Sequence, residues 1–157
     1  MRVLLYLTGL LCIASACGLA QSSNGYIFVA PGAATAGGVS QATVQSGGGF
    51  EFMAYRRWIG AGAEVSYLTT TRDWTGGFGV ASPNGYFHFP MSRLSNLDPY
   101  VTGGYSLFFK YGTSNAFNYG GGVNWWIGER TGLKFEIRDQ YGDGVHYWGM
   151  RFGVTFR

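Results

Sequence analysis

Every second residue from Trp148 onward is large and apolar: Trp148, Met150, Phe152, Val154 and Phe156. The residues between them, Tyr147, Gly149, Arg151, Gly153 and Thr155, are small or polar and carry a charge at their centre. A period of two puts the sets on opposite faces of a strand. The same alternation recurs along the chain. A first run covers about Asn24 to Ala30, and a second covers Gly47 to Arg56, where Phe50, Phe52 and Ala54 oppose Glu51, Met53 and Tyr55. A third runs from Ile59 to Thr71, with Ala61, Ala63, Val65 and Tyr67 opposite Gly60, Gly62, Glu64 and Ser66. The fourth sets Gly85, Phe87 and Phe89 against Asn84, Tyr86 and His88, and its well-paired part is expected to begin after Pro83, which has no N–H to donate. Pro99 to Lys110, Phe117 to Ile127, Gly132 to Tyr141 and Val145 to the C-terminus complete a predicted set of eight strands. Pro31 to Gln45, rich in Gly, Ala, Ser and Thr, reads as a loop, and Arg72 to Gly77, Gly112 to Ala116 and Gly142 to Gly144 read as turns.

Where the charges fall decides the environment. Glu51, Glu64, Lys134, Glu136, Arg138 and Arg151 all lie on the face opposite the large apolar residues. In a soluble barrel the apolar face fills the interior, but eight strands enclose a space that ordinary side chains only just fill. The many Phe, Tyr and Trp side chains do not fit there, so they are expected to face lipid. Strands of roughly ten residues, tilted ~45°, span ~23 Å, close to the ~25 Å apolar band of such barrels. The predicted fold is therefore all-β: an eight-stranded antiparallel up-and-down transmembrane barrel. The interior charges balance, three acidic against three basic. With the second hairpin centred between Arg57 and Trp58, Glu51 would face Glu64, and Arg151 or Arg138 would have to reach across and bridge them with bidentate geometry. Asp139 is the exception that lands on the outer face, and it is assigned to the membrane rim or to a bulge.

Composition agrees with this picture. Only 12% of the 157 residues are charged, against about a quarter in soluble domains. The net charge of +3 has no basic run beyond Arg56-Arg57, so nucleic acid is not a predicted partner. Residues 1–20 read as a cleavable secretory signal: Arg2, an apolar stretch from Val3 to Ala16, and small residues before a cut at Gln21. Ala14-Ser15-Ala16-Cys17 is a weak lipoprotein box, so lipid processing at Cys17 is the alternative. Both cysteines, Cys12 and Cys17, lie in this segment, and residues 21–157 form one predicted barrel domain without thiol chemistry. An even strand number puts both ends of the mature chain on one side, taken as periplasmic. Trp58, Trp125 and Trp126 then mark the inner interface, and Trp74, Tyr141, Tyr147 and Trp148 the outer one, as two aromatic girdles.

Catalytic chemistry finds little support. Glu51 and Glu64 as an acid–base dyad lack a nucleophile or cleft, and no His, Cys and carboxylate cluster has metal-ligand spacing. Neither a cofactor nor a metal is predicted, and the chain reads as a non-enzyme. Eight strands also leave no aqueous bore for a wide channel.

Four stretches carry a family likeness: Pro99-Tyr100-Val101-Thr102-Gly103-Gly104-Tyr105, Asn118 to Val123, Gly132 to Asp139, and the terminal Phe-Gly-Val-Thr-Phe-Arg. They resemble bacterial outer-membrane β-barrel domain proteins of the OmpA-like and OmpX-like kind. The resemblance implies export with periplasmic chaperones and insertion by the barrel assembly machinery into outer-membrane lipid, most simply as a monomer. It also makes Phe152, Val154 and Phe156 a C-terminal insertion signal, with Arg157 after the last aromatic a one-residue departure. Lipid-modifying barrels are a rival class, but their deacylase type places a Ser two residues after its His, and here Trp148 follows His146 and Pro90 follows His88 at that spacing. A small structural or surface-interaction barrel is the predicted role, with a lipid-modifying enzyme or narrow channel as the alternative.

Overall fold

The computed structural model describes residues 22–54, 57–89, 91, 96–110 and 112–157. The expected signal segment with Cys12 and Cys17, Tyr55 and Arg56 of the second hairpin, and 92–95 of the fourth connection lie outside the described residues. Eight strands run through the described chain: β1 (Ser22–Ala36), β2 (Val39–Ala54), β3 (Ile59–Thr70), β4 (Asp73–His88), β5 (Leu97–Phe109), β6 (Thr113–Trp126), β7 (Thr131–Gly142) and β8 (Val145–Phe156). Each pairs antiparallel with its neighbours in sequence, and β1 closes onto β8, so no free sheet edge remains. Ser22 and Phe156 lie at one end, called proximal here, and the hairpins β1–β2, β3–β4, β5–β6 and β7–β8 turn at the opposite, distal end.

The sidedness follows the alternation. Ile27, Phe52, Val65, Phe87, Val101, Phe135, Ile137, Met150, Phe152 and Val154 are exposed on the outside, while Glu51, Glu64, Lys134, Glu136, Arg138 and Arg151 are buried inside. A water-soluble fold does the reverse. This is the arrangement of a transmembrane barrel, where lipid covers the apolar band and each backbone polar group is paired within the closed sheet.

Three expectations change. Pro31 to Gln45 is no loop: it is the distal part of a long hairpin whose only turn is at Gly37-Gly38, both at positive φ (55° and 82°) that glycine tolerates. The Arg72 to Gly77 and Gly112 to Ala116 turns shrink for the same reason, with β4 starting at Asp73 and β6 at Thr113. Where a hairpin leaves the apolar band both faces meet water, so alternation stops although the ladder continues. Pro83 likewise lies inside β4: its pairing to Ala63 of β3 is unbroken, and only the β5 side is interrupted, between Ala81 and Asn84. Pro31 behaves identically, paired with Val44 of β2 and set in a gap of the β1–β8 ladder between Val29 and Gly32. Each proline directs its missing donor to one seam and leaves the register intact.

The third change is register. Ala54 pairs with Ile59, so the second hairpin centres one residue earlier than expected and every cross-strand partner moves by two, with Glu51 opposite Gly62 and Glu64 opposite Gly49. The two carboxylates do not oppose each other. An even shift leaves every side chain on its expected face.

Candidate functional site: the lumen and its distal mouth

The interior is layered from the proximal end. His88 comes first, its Nε2 2.6 Å from Glu51 Oε1 and its Nδ1 3.0 Å from Asp98 Oδ1. The two ring nitrogens thus tie the imidazole to two carboxyl groups at once. Next comes Lys134, whose Nζ lies 4.1 Å from the Tyr100 ring centroid, 4.7 Å from that of Tyr26 and 5.6 Å from that of Tyr86: a cation in a cage of tyrosines. Its Nζ is also 3.7 Å from Glu136 Oε2.

The middle layer joins two carboxylates to two guanidinium groups. Arg151 Nη1 donates to Glu64 Oε2 at 2.6 Å, and Nη2 to Gln45 Oε1 at 3.2 Å. Arg138 Nε lies 2.5 Å from Glu136 Oε1 and Nη1 lies 3.5 Å from Glu64 Oε2. The Arg138 N–H groups are off line for hydrogen bonds, so its contribution is charge compensation. Tyrosine hydroxyls complete the set: Tyr26 donates to Glu64 Oε2 at 3.1 Å and Tyr100 to Glu136 Oε2 at 2.6 Å. The two arginines therefore link Glu64 with Glu136. The expected bridge between Glu64 and Glu51 does not form, because the register separates them, and Glu51 turns to His88. Nor does either arginine grip one carboxylate with both prongs.

Glycine makes room for this network. Glu51 is paired across the ladder with Gly62, Glu64 with Gly49, Lys134 with Gly153, Glu136 with Gly122, and Arg138 with both Gly120 and Gly149. A Cβ added at Gly49 would lie 2.7 Å from the Tyr26 hydroxyl, and one at Gly122 would lie 2.8 Å from the Tyr100 hydroxyl. These hydroxyls hold the two central carboxylates, so any side chain here disturbs the ionic layer.

Beyond it, Ser106 Oγ is a polar hub: it lies 2.8 Å from Ser82 Oγ and accepts from Asn118 Nδ2 (3.0 Å) and Gln140 Nε2 (3.2 Å). The layer above is apolar, made of Leu68, Val80, Phe108 and Ala116, with Tyr147 packed against it. At the distal mouth this floor opens into a cavity of about 300 Å³ lined by Phe78, Phe108, Tyr147, Ser114, Asp143 and Val145 among others. A smaller one of about 150 Å³ shares Phe78 and Tyr147.

Five of the seven girdle aromatics, Trp58, Trp74, Trp125, Tyr141 and Trp148, are exposed. The other two are corrections. Trp126 is 5% exposed and turns inward at the proximal end, where the Arg157 guanidinium carbon stacks 3.6 Å from its ring centroid. Tyr147 is half-buried and packs on Phe108 with centroids 5.2 Å apart. Trp125-Trp126 and Tyr147-Trp148 are consecutive in strands, so one member of each pair has to face in. Phe152, Val154 and Phe156 are exposed along β8. Asp139 stays on the outer face near the distal end without a bulge, accepting from Tyr119 Oη at 2.8 Å and lying 2.7 Å from His146 Nδ1. The Tyr141 ring lies over His146 with centroids 4.5 Å apart. Sequence reasoning missed the links from His88 to both carboxylates, the tyrosine cage and this Asp139–His146 pair, because each joins residues far apart along the chain or fixed by register. Among the described residues no group of three or more His, Cys, Asp or Glu side chains is placed to hold a metal ion.

The architecture is an eight-stranded barrel with an apolar outside and an ionic interior, and solved structures share its fold. No family model matches the chain, and no curated protein matches it. Among solved structures the chain is similar to Neisserial surface protein A (NspA), with TM-score 0.70 and 14% identity over 85% of this chain and 96% of that one. It is also similar to the N-terminal β-barrel domain of Pseudomonas aeruginosa OprF (TM-score 0.55, 16% identity, 86% and 98% covered). A third is Ail, the attachment invasion locus protein of Yersinia pestis (TM-score 0.55, 12% identity, 85% and 96% covered). The fold is that of the small eight-stranded outer-membrane barrels.

Proposed function

We propose that the protein resides in a bacterial outer membrane as a small barrel with a sealed lumen, serving a structural or surface-interaction role. The single observation behind this is the inversion of sidedness: exposed Phe, Ile, Val and Trp outside, and a neutralised ionic network inside. The sealed interior argues against conduction, since the ionic layer and the apolar layer above it follow one another across the bore. The structural neighbours named as a surface protein and an attachment invasion locus protein support a surface role. The proximal end, with both termini, faces the periplasm and the distal hairpins face outward. Phe152, Val154 and Phe156 form the strand read by the assembly machinery, Trp58 and Trp125 anchor the inner interface, and Tyr141 and Trp148 the outer one.

Fractionation tests residence: the protein stays with outer membranes through urea extraction and shows heat-modifiable gel migration. Recovery in the soluble fraction rejects the reading. Single cysteines test orientation. Gly37→Cys reacts with an impermeant maleimide on intact cells, and Glu129→Cys reacts only after lysis. Liposome conductance above the empty-bilayer baseline would replace the plug with a channel.

A further inference from the structure

The distal mouth contradicts the economy of the rest of the barrel. Phe78 belongs to the inward-facing set of β4, with Val80, Ser82, Asn84, Tyr86 and His88, yet it is 42% exposed. Lipid does not cover it, because it lines the two cavities inside the mouth instead of the outer wall. Phe108 and Tyr147 stand beside it as a tilted aromatic pair on the apolar floor. Apolar surface left open inside the mouth, above a packed apolar layer, is the signature of a ligand cavity. At about 300 Å³ it holds a single-ring compound and not a large one.

The rim supplies the polar complement. Asp143 occupies the turn between β7 and β8 at φ 51°, and its Oδ2 accepts a hydrogen bond of 2.6 Å from Ser114 Oγ of β6. Lys110, the cation on the rim, is turned to the Thr75 carbonyl at 2.6 Å. Both groups line the cavity, and a carboxylate that accepts one hydrogen bond keeps acceptor capacity for a ligand donor. Three rings below call for an aromatic body, since ring pairs favour offset or edge contacts at about 4.5–7 Å.

We infer that the distal mouth is a binding cup for a small aromatic amine, its ring seated among Phe78, Phe108 and Tyr147 and its ammonium on Asp143. This goes beyond the structural role proposed above and uses only the barrel's own mouth, so its test does not depend on which side of the membrane the mouth faces.

The test uses the full mature barrel in phosphatidylcholine nanodiscs, with 4-fluorophenethylamine as probe and fluorine NMR as readout, and empty nanodiscs as blank. Saturable binding is expected in the wild type, about tenfold weaker in Phe78→Ser for loss of one aromatic contact. Asp143→Asn is expected to weaken the amine, and 4-fluorophenylacetate is expected to bind worse than the amine in the wild type. Heat-modifiable migration checks that each variant is folded, and the comparison of amine with acetate on the wild type stands even where a variant is not. A wild-type signal equal to that of empty nanodiscs, folded variants that bind like the wild type, or acetate binding as tightly as the amine would each overturn the proposal.

Discussion

The middle of the lumen and its distal mouth are built from the same strands, yet they solve opposite problems. In the middle, Glu64, Glu136, Arg138 and Arg151 each have an opposite charge beside them, all but Arg151 are paired across the ladder with a glycine, and tyrosine hydroxyls hold the two central carboxylates. In the mouth, the inward positions are Phe78, Phe108 and Tyr147, and space is left between them. The difference teaches that inward alternation alone specifies neither plug nor pocket. Filling is decided by which small residues stand opposite the large ones.

The comparison is broken most severely by removing one central ion. Glu64→Leu leaves Arg138 and Arg151 to share Glu136, with an expected loss of about 3–5 kcal/mol in urea unfolding from phospholipid vesicles. The double variant Glu64→Leu with Arg138→Met is expected to lie nearer the wild type than either single change, because the stranded charge goes with its partner. Next, Phe152→Arg on the lipid face is expected to cost about 2–4 kcal/mol near the middle of the bilayer, read the same way. Gly122→Ala drives a methyl into the Phe135 carbonyl oxygen and against the Tyr100 hydroxyl, and is expected to cost about 1–3 kcal/mol. In contrast, Phe78→Ser in the mouth is expected to change stability by less than about 1 kcal/mol, since that ring is 42% exposed and lies outside the packed apolar cluster. A mouth variant that unfolds the barrel as severely as Glu64→Leu would erase the distinction between the two regions.

The smallest effect is a pH effect at the β3–β4 turn. Asp73 Oδ1 accepts from Thr75 Oγ1 at 2.8 Å and from the backbone N–H groups of Thr75 and Gly76 at 3.0 Å each. The hydroxyl bond from Thr75 and these two N–H bonds hold the Asp73 pKa below its ordinary value of 3.8. A depressed carboxylate stabilises its turn above the ordinary pKa, and that support is lost as pH falls through the lowered value. Amide exchange at Thr75 and Gly76 is expected to quicken only in strong acid, and in Asp73→Asn at every pH.

What was legible in the sequence was whatever a two-residue period fixes. The faces of Glu51, Glu64, Lys134, Glu136, Arg138 and Arg151 follow from it, and so does the outward set on β8. Lost were quantities that period cannot encode. The second hairpin's centre was misplaced because Arg57-Trp58 offers no Gly or Asn to mark it, and Arg57 itself takes the positive φ of 68°. Strand ends were drawn where apolar alternation stops, which marks the edge of the greasy band and not the end of pairing. Asp98, on the far side of a connection, gave no hint that it would share His88 with Glu51.

One arrangement bears on assembly. The inward ions of β1 to β6 are Glu51, Glu64 and Asp98 with His88, whereas the β7–β8 hairpin carries Lys134, Arg138 and Arg151 against Glu136 alone. A nascent six-strand sheet therefore presents a net acidic concave surface, and the final hairpin arrives as its basic counterpart. Sewing the last seam and discharging the bore become one event: a chain halted before Arg151 would be both an open sheet and an uncompensated one.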